Sequence, residues 1–271
     1  MIKINNKVIK PEYFPDGTLK LNYEFSPTIK TNDVVNFEWY YDNNEELIIL
    51  DMLVKHIRAN YFFKHFHLYM PYVPNARFDR TKNDTEVFTL KWFCEMINNM
   101  KFEMVRILHP HSNVVSALLN NVVIDNLNKE IIDTLLTALK PDILYYPDEG
   151  CKKNLSDSFK YPSLFGIKDR EWQSGKIKGL EVMGEVPVDA TFNVLIVDDI
   201  CSKGGTFYHS AKKLKELGAK NIYLYITHCE NSILDGELIN SGLIKEIYTT
   251  DTIFTREHEL IKVLTEFRSE K

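Results

Sequence analysis

The sequence predicts an α/β protein with largely parallel sheets. Short apolar runs alternate along the chain with longer stretches of helical period, which is the pattern of strands joined by covering helices. The clearest strand is Phe192–Val197, a near-continuous apolar run of the kind that a strand buried on both faces requires. A helix is predicted directly after it at Thr206–Leu217, ending at Gly218, because glycine tolerates the left-handed conformation of a helix C-terminus.

The first half of the chain yields the other elements of one α/β unit. Two strands are predicted at Thr18–Tyr23 and Val34–Trp39. A helix with one buried face follows, because Asn44–Asn60 carries apolar residues at helical spacing. These residues are Leu47, Ile48, Leu50, Leu53, Val54 and Ile57. The next elements are a strand, a helix and a strand: His67–Tyr72, Glu86–Asn99 and Phe102–Leu108.

The second half yields further strands and a terminal helix. Strands are predicted at Asp142–Tyr146, Ile222–Thr227 and Lys245–Thr250. The charge-rich stretch Glu257–Arg268 is predicted to be a helix with one solvated face. We therefore expect two α/β domains, residues 1–125 and 126–271, in a chain of 271 residues that is long enough for two modest cores.

Composition and charge exclude several classes of protein. With 44% hydrophobic and 26% charged residues, the chain has an ordinary globular composition. The formal net charge of −5 provides no basic field, so no nucleic-acid partner is expected. The apolar runs are far shorter than the roughly 20 residues of a membrane span. The four cysteines are widely spaced and form no C-x-x-C pair, so neither a zinc ribbon nor a disulfide framework is indicated. Together, these features lead us to expect a soluble cytoplasmic protein.

The most informative motif is Val194-Leu-Ile-Val-Asp-Asp-Ile-Cys-Ser-Lys-Gly-Gly-Thr206, a buried strand followed by two acids, a glycine-rich loop and a helix. Side chains at the carboxyl end of a parallel strand lie where open α/β sheets bind ligands. Backbone N–H groups in the loop and the helix dipole favour a phosphate there. Asp198 and Asp199 would then accept hydrogen bonds from sugar hydroxyls, although a plain strand–turn–helix connection is the alternative.

This motif resembles the binding loop of the type I phosphoribosyltransferase superfamily. A series of segments also resembles, in the same order, the ribose-phosphate diphosphokinases, which make phosphoribosyl pyrophosphate. They are Phe14-Pro-Asp-Gly-Thr18, Met70-Pro-Tyr-Val-Pro-Asn-Ala-Arg-Phe-Asp-Arg80, Leu108-His109, Pro147-Asp-Glu-Gly150, Lys168-Asp-Arg170, Thr227-His228 and Asp251-Thr-Ile253. The resemblance implies two phosphoribosyltransferase-like domains, with ATP bound by a trimmed N-terminal domain (1–125) and ribose phosphate by the C-terminal domain (126–271).

The resemblance also implies a reaction and the residues that perform it. The anomeric hydroxyl of ribose 5-phosphate attacks the β-phosphorus of ATP, AMP leaves, and Mg²⁺ is the cofactor. His109 and Asp148 match metal-associated positions, and Lys168, Arg170 and His109 match catalytic ones. Ribose phosphate would be held by Asp198, Asp199, Ser202, Lys203, Gly204, Gly205 and Thr206. ATP would be held by Arg77, Phe78 and Arg80, with Phe14 and Asp16 contributed by a neighbouring subunit, which implies a homodimer or larger homo-oligomer.

Each of these assignments has a structural alternative. His109 would otherwise be a hydrogen-bonded histidine at a strand end, and Lys168 and Arg170 would be solvated loop charges. Arg77 and Arg80 flank Asp79 and would otherwise form a surface charge cluster. Two other functions stay open at this point, a non-catalytic regulatory relative and a phosphoribosyltransferase acting on a base.

The sequence departs from the family pattern near both substrates. Thr18 stands in place of an acid, Phe78 in place of a glutamine and Cys151 in place of a glycine. Lys203 stands in a loop that reads Asp-Thr-Gly-Gly-Thr in the family, so an acid is lost and a cation gained beside the 5-phosphate. A larger acceptor with a 5′-diphosphate, ADP-ribose, is therefore the alternative to ribose 5-phosphate. Phage-encoded relatives that act on ADP-ribose in NAD salvage are similar in outline.

Overall fold

The computed structural model describes residues 1–23, 34–170, 177–187 and 191–269, with the side chains of 168–170 and 177–179 outside this description. The chain divides into two compact units. The first comprises Met1–Asp125 with Phe267–Lys271, and the second comprises Asn126–Glu266. None of the helices in the described ranges is long and apolar enough to cross a membrane.

The first unit is built on a mixed sheet whose strand order is β2-β1-β5-β6-β7-β8. Its elements are β1 (Ile2–Ile4), β2 (Lys7–Ile9), β3 (Glu12–Tyr13), β4 (Leu19–Lys20), β5 (Val34–Trp39), α1 (Glu45–Asn60), β6 (His65–Tyr69), α2 (Thr89–Asn99), β7 (Met104–Leu108), α3 (Val114–Leu118) and β8 (Val122–Asp125). Strands β5 to β8 pair in parallel, whereas β1 pairs antiparallel with β2 and β5. A separate two-stranded ribbon joins β3 to β4.

The second unit is a larger sheet of strand order β11-β10-β9-β12-β13-β14-β15. Its elements are α4 (Leu127–Leu139), β9 (Ile143–Tyr146), α5 (Glu149–Leu155), β10 (Ser163–Arg170), β11 (Ile177–Met183), β12 (Phe192–Cys201), α6 (Gly205–Glu216), β13 (Ala219–Cys229), β14 (Glu246–Thr249) and β15 (Ile261–Val263). All neighbours pair in parallel except β10 and β11. The α/β class with largely parallel sheets, as predicted, is confirmed.

The apolar run of β12 explains how the second unit buries its sheet. Val194 and Ile196 lie in one hydrophobic core, and Leu195 and Val197 lie in another. Because successive side chains of a strand point to opposite faces, the uninterrupted run covers both faces of the sheet. A helix, by contrast, buries a single apolar face. In the first unit, α2 buries Leu90, Phe93, Cys94 and Ile97, which follow the helical spacing of such a face.

The predicted helix at Glu257–Arg268 is wrong. This stretch contains β15, which pairs in parallel with β14 through Ile247 opposite Ile261 and Thr249 opposite Val263. Ile261 is buried and Val263 is partly exposed, so the strand extends the sheet at its edge. Two β-branched residues separated by one lysine suit this pairing, and the charges around them masked the strand signal.

Candidate functional site

Two acids lie at the carboxyl end of β12, where the ligand-binding edge of a parallel sheet is expected. The strand extends beyond the predicted end at Val197, because Asp198 pairs in register with Ile226 and Ile200 with His228. Asp198 and Asp199 are both half-buried, and the N–H of Asp199 donates to Oδ1 of Asp198 at 2.9 Å. These two residues, called the acid pair below, are therefore held on regular strand rather than on a loose turn.

The phosphate loop, Ser202–Thr206, turns the chain from β12 into α6. Gly204 precedes the helix with a φ of +78°, a conformation that side chains with a β-carbon rarely adopt. A β-carbon there would also approach Leu238 to 3.0 Å. The first backbone N–H groups of α6 have no carbonyl partner within the helix, and Lys203 adds an exposed cation beside them. This arrangement suits an anion with several oxygens.

Asp148 lies on the neighbouring strand connection, between β9 and α5. Its Oδ1 accepts a hydrogen bond from the N–H of Cys151 at 2.9 Å, so the carboxylate caps the first turn of α5. Because β9 and β12 are adjacent parallel strands, their carboxyl ends meet at one edge of the sheet. Asp148 and the acid pair therefore belong to the same edge of the second unit.

Cys151 links these carboxylates. Its thiol donates to the carbonyl oxygen of Val197 at 3.2 Å. Burial, together with the negative charges of Asp198, Asp199 and Asp148, raises the pKa of this thiol well above its ordinary value. Cys151 is thus a neutral hydrogen-bond donor at physiological pH, surrounded by three acids. In the sequence, Cys151 is distinguished only as a departure from the family pattern, and its position three residues after Asp148 is the available signal of this contact.

Lys168 and Arg170 lie on strand β10, not on the loop in which the alternative of solvated charges placed them. Their backbones pair with β11, Lys168 opposite Leu180 and Arg170 opposite Ile177. A register shift between Asp169 and Arg170 marks the irregular end of this hairpin. The two side chains, and the segment 171–176 that follows them, lie outside the described residues. Their catalytic assignment stays a prediction.

In the first unit, two predicted segments are held together by one hydrogen bond. Asp79, between Phe78 and Arg80, accepts from the hydroxyl of Ser112 at 2.7 Å. Ser112 is buried and also accepts from the N–H of Val114 at 3.1 Å. The pairing fastens the ATP segment, Arg77–Arg80, to the turn that follows His109. Ser112 was not among the predicted site residues, because a single serine outside any motif carries no sequence signal.

The ATP segment presents its basic side chains to solvent. Arg77 and Arg80 are exposed, and Phe78 is half-buried. The Nε of Arg80 lies 3.5 Å from Oδ1 of Asp79, but its side chain is 85% exposed, so the pair contributes little to stability. Arg80 is therefore available to bind an anion, which agrees with the predicted contact to ATP phosphates without testing it.

His109 follows β7 and is half-buried with a φ of +40°. A left-handed backbone is uncommon for a residue with a β-carbon, and it is further disfavoured before a proline such as Pro110. The turn is held by the N–H of Leu108, which donates to the carbonyl oxygen of Pro71 at 3.0 Å. Strained backbone positions of this kind cluster at functional sites.

Phe14 and Asp16 lie on the exposed turn between β3 and β4. Oδ1 of Asp16 accepts from the hydroxyl of Thr18 at 2.7 Å and from its N–H at 3.0 Å. These hydrogen bonds, the hydroxyl one first, lower the pKa of the Asp16 carboxyl. Phe14 is 51% exposed at the same turn. Thr18, noted as a departure from the family, is therefore the residue that orients Asp16.

The carboxylates suit Mg²⁺ in their chemistry. Within the described ranges, no group of three His, Cys, Asp or Glu residues could hold a metal ion unaided. Mg²⁺ is commonly bound by one or two carboxylates with water and substrate phosphates completing its octahedron. Asp148, which has one oxygen engaged as a helix cap, fits such a role, and so does the acid pair at the same edge of the sheet.

Comparisons with known proteins place these features in a family context. A model of the phosphoribosyl synthetase-associated domain matches residues 172–265. The chain is 29% identical over 230 residues to a ribose-phosphate pyrophosphokinase of Campylobacter jejuni, covering 83% of this chain and 72% of the relative. It is 25% identical over 261 residues to a ribose-phosphate pyrophosphokinase of Sulfurisphaera tokodaii, covering 93% of this chain and 85% of the relative.

A solved structure extends the comparison to the fold. Phosphoribosylpyrophosphate synthetase from Mycobacterium smegmatis matches with a TM-score of 0.73 and 18% identity, over 95% of this chain and 86% of that chain. At this identity the likeness concerns the fold, and it agrees with two phosphoribosyltransferase-like α/β units.

Proposed function

We propose that this chain is a member of the ribose-phosphate pyrophosphokinase family and an ATP-dependent diphosphotransferase acting on a ribose-phosphate acceptor. The observation that carries this proposal is the acid pair directly before the phosphate loop, on one edge of a parallel sheet. The relatives' names support the same enzyme class. They favour neither a non-catalytic relative nor a base phosphoribosyltransferase.

In the proposed reaction, the anomeric hydroxyl oxygen of the acceptor forms a bond to the β-phosphorus of ATP. The bond between that phosphorus and the oxygen bridging to the α-phosphate breaks, and AMP leaves with the electron pair. The proton of the hydroxyl is released, and the acceptor gains the β,γ-diphosphate. Such a transfer depends mainly on positioning and charge neutralisation.

The acceptor is positioned by the second unit. Asp198 and Asp199 accept hydrogen bonds from ribose hydroxyls, while the N–H groups of the phosphate loop bind the 5-phosphate. The hydroxyls of Ser202 and Thr206 add donors to the same anion. Because the acid pair sits on regular strand and the loop is shaped by Gly204, the sugar is held between two fixed points.

ATP is positioned by the first unit in this proposal. Arg77 and Arg80 bind its phosphates, and Phe78 contacts the adenine ring. Phe14 and Asp16 contact the adenine of a neighbouring subunit, so the working enzyme is a homodimer or a larger homo-oligomer. The exposure of Phe14 and of both arginines leaves these side chains accessible for such contacts.

Charge neutralisation involves a metal ion and two cationic side chains. Mg²⁺, when bound, neutralises phosphate charge, and Asp148 with His109 are the residues proposed to hold it. Lys168 and Arg170 donate to the phosphate oxygens as the bond to AMP breaks.

The names of the relatives give a ribose phosphate as their acceptor, so ribose 5-phosphate is the first candidate here and ADP-ribose is the second. Lys203 supports the larger acceptor, because this exposed cation belongs to the proposed 5-phosphate loop and would pair with an additional phosphate. The product would then be ADP-ribose pyrophosphate, a reaction suited to NAD salvage.

The test is AMP release from ATP and Mg²⁺, with ribose 5-phosphate and ADP-ribose supplied separately. We expect release with at least one acceptor and none without an acceptor or after chelation of Mg²⁺. Release of pyrophosphate from phosphoribosyl pyrophosphate when a free purine or pyrimidine base is supplied, the reaction of a base phosphoribosyltransferase, is not expected. The absence of AMP release with both acceptors would contradict the proposal and favour a non-catalytic role.

A further inference from the structure

Two motifs of the sequence that have no role in the proposed reaction meet inside the second unit. Thr227-His228 lies at the end of β13, and Asp251-Thr-Ile253 follows β14. Nδ1 of His228 lies 2.9 Å from Oγ1 of Thr252, although the two residues are 24 positions apart in the chain. Both residues are buried, so this contact joins the two segments within the interior of the unit.

The contact belongs to a series of buried hydrogen bonds that ends at a backbone carbonyl. Oγ1 of Thr252 lies 3.0 Å from Oγ1 of Thr250. The hydroxyl of Thr250 donates to the carbonyl oxygen of Thr227 at 2.6 Å. We call this series, from His228 through Thr252 and Thr250 to the carbonyl of Thr227, the hydroxyl network. Both threonine hydroxyls lie in fully buried residues, so bulk water does not replace these contacts.

The hydroxyl network determines which nitrogen of His228 carries a hydrogen. The network contains three short contacts, and each needs one hydrogen between its two polar atoms. The two hydroxyls supply one hydrogen each, and a carbonyl oxygen supplies none. Thr250 gives its hydrogen to the carbonyl of Thr227, so Thr252 gives its hydrogen to Thr250. The third hydrogen therefore comes from Nδ1 of His228, which donates to Thr252.

The opposite direction of the first hydrogen bond is unfavourable. If Thr252 donated to Nδ1 of His228, the oxygens of Thr252 and Thr250 would face each other at 3.0 Å with no hydrogen between them. Leaving a buried polar contact unsatisfied is costly in a medium of low dielectric constant. Thr252 also lies 3.4 Å from the carbonyl of Thr227, and a hydrogen bond there would again direct its hydrogen away from His228.

The hydroxyl network lies beside the strand end that supports the acid pair. β13 is the neighbour of β12, and Ile226 pairs in register with Asp198. On the other side of β13, the ladder to β14 ends at the same residue, opposite Thr249. The hydrogen bond from Thr250 to Thr227 continues this attachment beyond the ladder. The end of β13 is therefore held by β12 on one side and by the hydroxyl network on the other.

We propose that His228 is a positioning residue of the acceptor site. Its Nδ1–H group completes the hydroxyl network, and the network fixes the end of β13, with which the acid pair is aligned. His228 acts through Asp198 and Asp199 rather than on the acceptor, because it is only 2% exposed. This inference rests on the proposed function for the role of the acid pair. The hydrogen on His228 and the order of the strand end can both be measured without substrate.

The first experiment detects the hydrogen on Nδ1 directly. Nitrogen NMR of the full chain, labelled in its histidine rings, is recorded at about pH 8, above the ordinary histidine pKa of about 6.5. The signals of His228 are those that are absent from His228→Asn. We expect a hydrogen on Nδ1 in the unchanged protein. An Nδ1 without a hydrogen would overturn the inference.

The second experiment tests whether the hydroxyl network positions the acid pair. Thr252→Val removes the hydroxyl and keeps the branched side chain, whereas Thr252→Ser keeps the hydroxyl. Thr249→Val is the matched control, because Thr249 is equally buried at the end of β14 but lies outside the hydroxyl network. Hydrogen–deuterium exchange of residues 198–201 is compared with that of residues 192–197 in each variant. Calorimetry measures the Kd for ribose 5-phosphate, ADP-ribose and α,β-methylene-ATP.

We expect Thr252→Val to accelerate exchange in 198–201 about tenfold, the scale of one buried polar group left without its partner, and to leave 192–197 unchanged. The Kd for the acceptor should rise by a similar factor. The Kd for α,β-methylene-ATP should not change, because ATP is proposed to bind the first unit. Thr252→Ser and Thr249→Val should behave as the unchanged protein. Uniform acceleration along β12, or equal effects of Thr252→Val and Thr249→Val, would overturn the inference.

The outcome for the hydroxyl network is separate from that for the proposed function. AMP release by the unchanged protein, combined with no change of exchange or acceptor Kd in Thr252→Val, would contradict the positioning role alone. Faster exchange confined to 198–201 in Thr252→Val, without AMP release by the unchanged protein, would support the positioning of the acid pair and contradict the diphosphotransferase.

Discussion

The thiol of Cys151 donates a hydrogen bond to the carbonyl oxygen of Val197 at 3.2 Å, and so joins the first turn of α5 to the strand that carries the acid pair. The backbone N–H of the same cysteine donates to Asp148. One residue therefore fixes the spacing between the proposed metal-binding carboxylate and the proposed sugar-binding acids.

Asp148 has two separable roles, as a helix cap and as a charge. Asp148→Asn should keep stability nearly unchanged, because asparagine is an equally good N-cap, but should lower turnover by about two orders of magnitude. Asp148→Ala should lose the same activity and also about 1 kcal/mol of unfolding free energy. Urea denaturation and AMP release measure the two effects. Full activity in Asp148→Asn would remove the carboxylate from the metal site.

The two glycines of the phosphate loop should respond oppositely to alanine. Gly204→Ala should destabilise the protein by about 1–3 kcal/mol, because the left-handed backbone and the contact with Leu238 both oppose a β-carbon. Gly205→Ala meets open space at the first helical position and should be neutral or stabilising by up to about 0.5 kcal/mol. Chemical denaturation of both variants checks this, and equal losses would mean that the loop has another conformation.

The pKa of Asp16 should depend on Thr18. Thr18→Val removes the hydroxyl donor, so the pKa of the Asp16 carboxyl should rise toward its ordinary value, whereas Thr18→Ser should keep it low. Because the folded pKa is lowered, the stabilisation from this bond is present above the unfolded pKa and is lost as pH falls through the folded pKa. Carboxyl NMR titration measures the shift, and an unchanged titration in Thr18→Val would refute it.

Substitution of Lys168 tests whether this residue of β10 is a catalytic cation. Lys168→Ala should lower turnover by about two to three orders of magnitude, the scale of removing one preorganised donor from a transition state. Lys160→Ala, which removes an exposed lysine just before β10, should leave turnover unchanged. The measurement is the rate of AMP release at saturating substrates. Comparable rates for both variants would mean that Lys168 is a structural hairpin residue.

Lys203 distinguishes the two candidate acceptors. Lys203→Thr should raise the KM for ADP-ribose much more than the KM for ribose 5-phosphate, because only the larger acceptor carries a second 5′-phosphate for this cation to pair with. Initial rates with each acceptor provide the comparison. An equal rise for both would show that Lys203 serves only the phosphate common to them.

Much of the fold was predictable because it depends on local apolar patterns. The run Phe192–Val197 and the helical spacing of α2 both reflect burial that is set by side-chain period alone. The strand β15 was missed because its signal consists of Ile261 and Val263 within charged sequence, and its pairing with β14 is a long-range contact. The predicted strand Thr18–Tyr23 is limited to Leu19–Lys20 for a similar reason, since its partner β3 has only two residues.

The candidate site could be predicted where its residues directly follow a recognisable strand in the sequence. Asp198 and Asp199 could be placed at a strand end because the acids follow a buried run directly. The contacts of Cys151 and Ser112 could not be predicted, because each joins segments that are distant in sequence: Cys151 reaches Val197, and Ser112 reaches Asp79. Such contacts depend on strand order, which no local pattern contains.

Side chains of β12 alternate between two cores, and the same alternation sets the direction of Asp198 and Asp199 at the end of the strand. Replacing Leu195 or Ile196 by another apolar residue changes one core and leaves the acid pair where it is. Deleting a single residue within 194–197 would exchange the residues that face the two cores and rotate both carboxylates to the opposite faces of the sheet. In the descent of this chain, substitutions in the strand are therefore tolerable, whereas insertions and deletions there would be eliminated through loss of substrate binding.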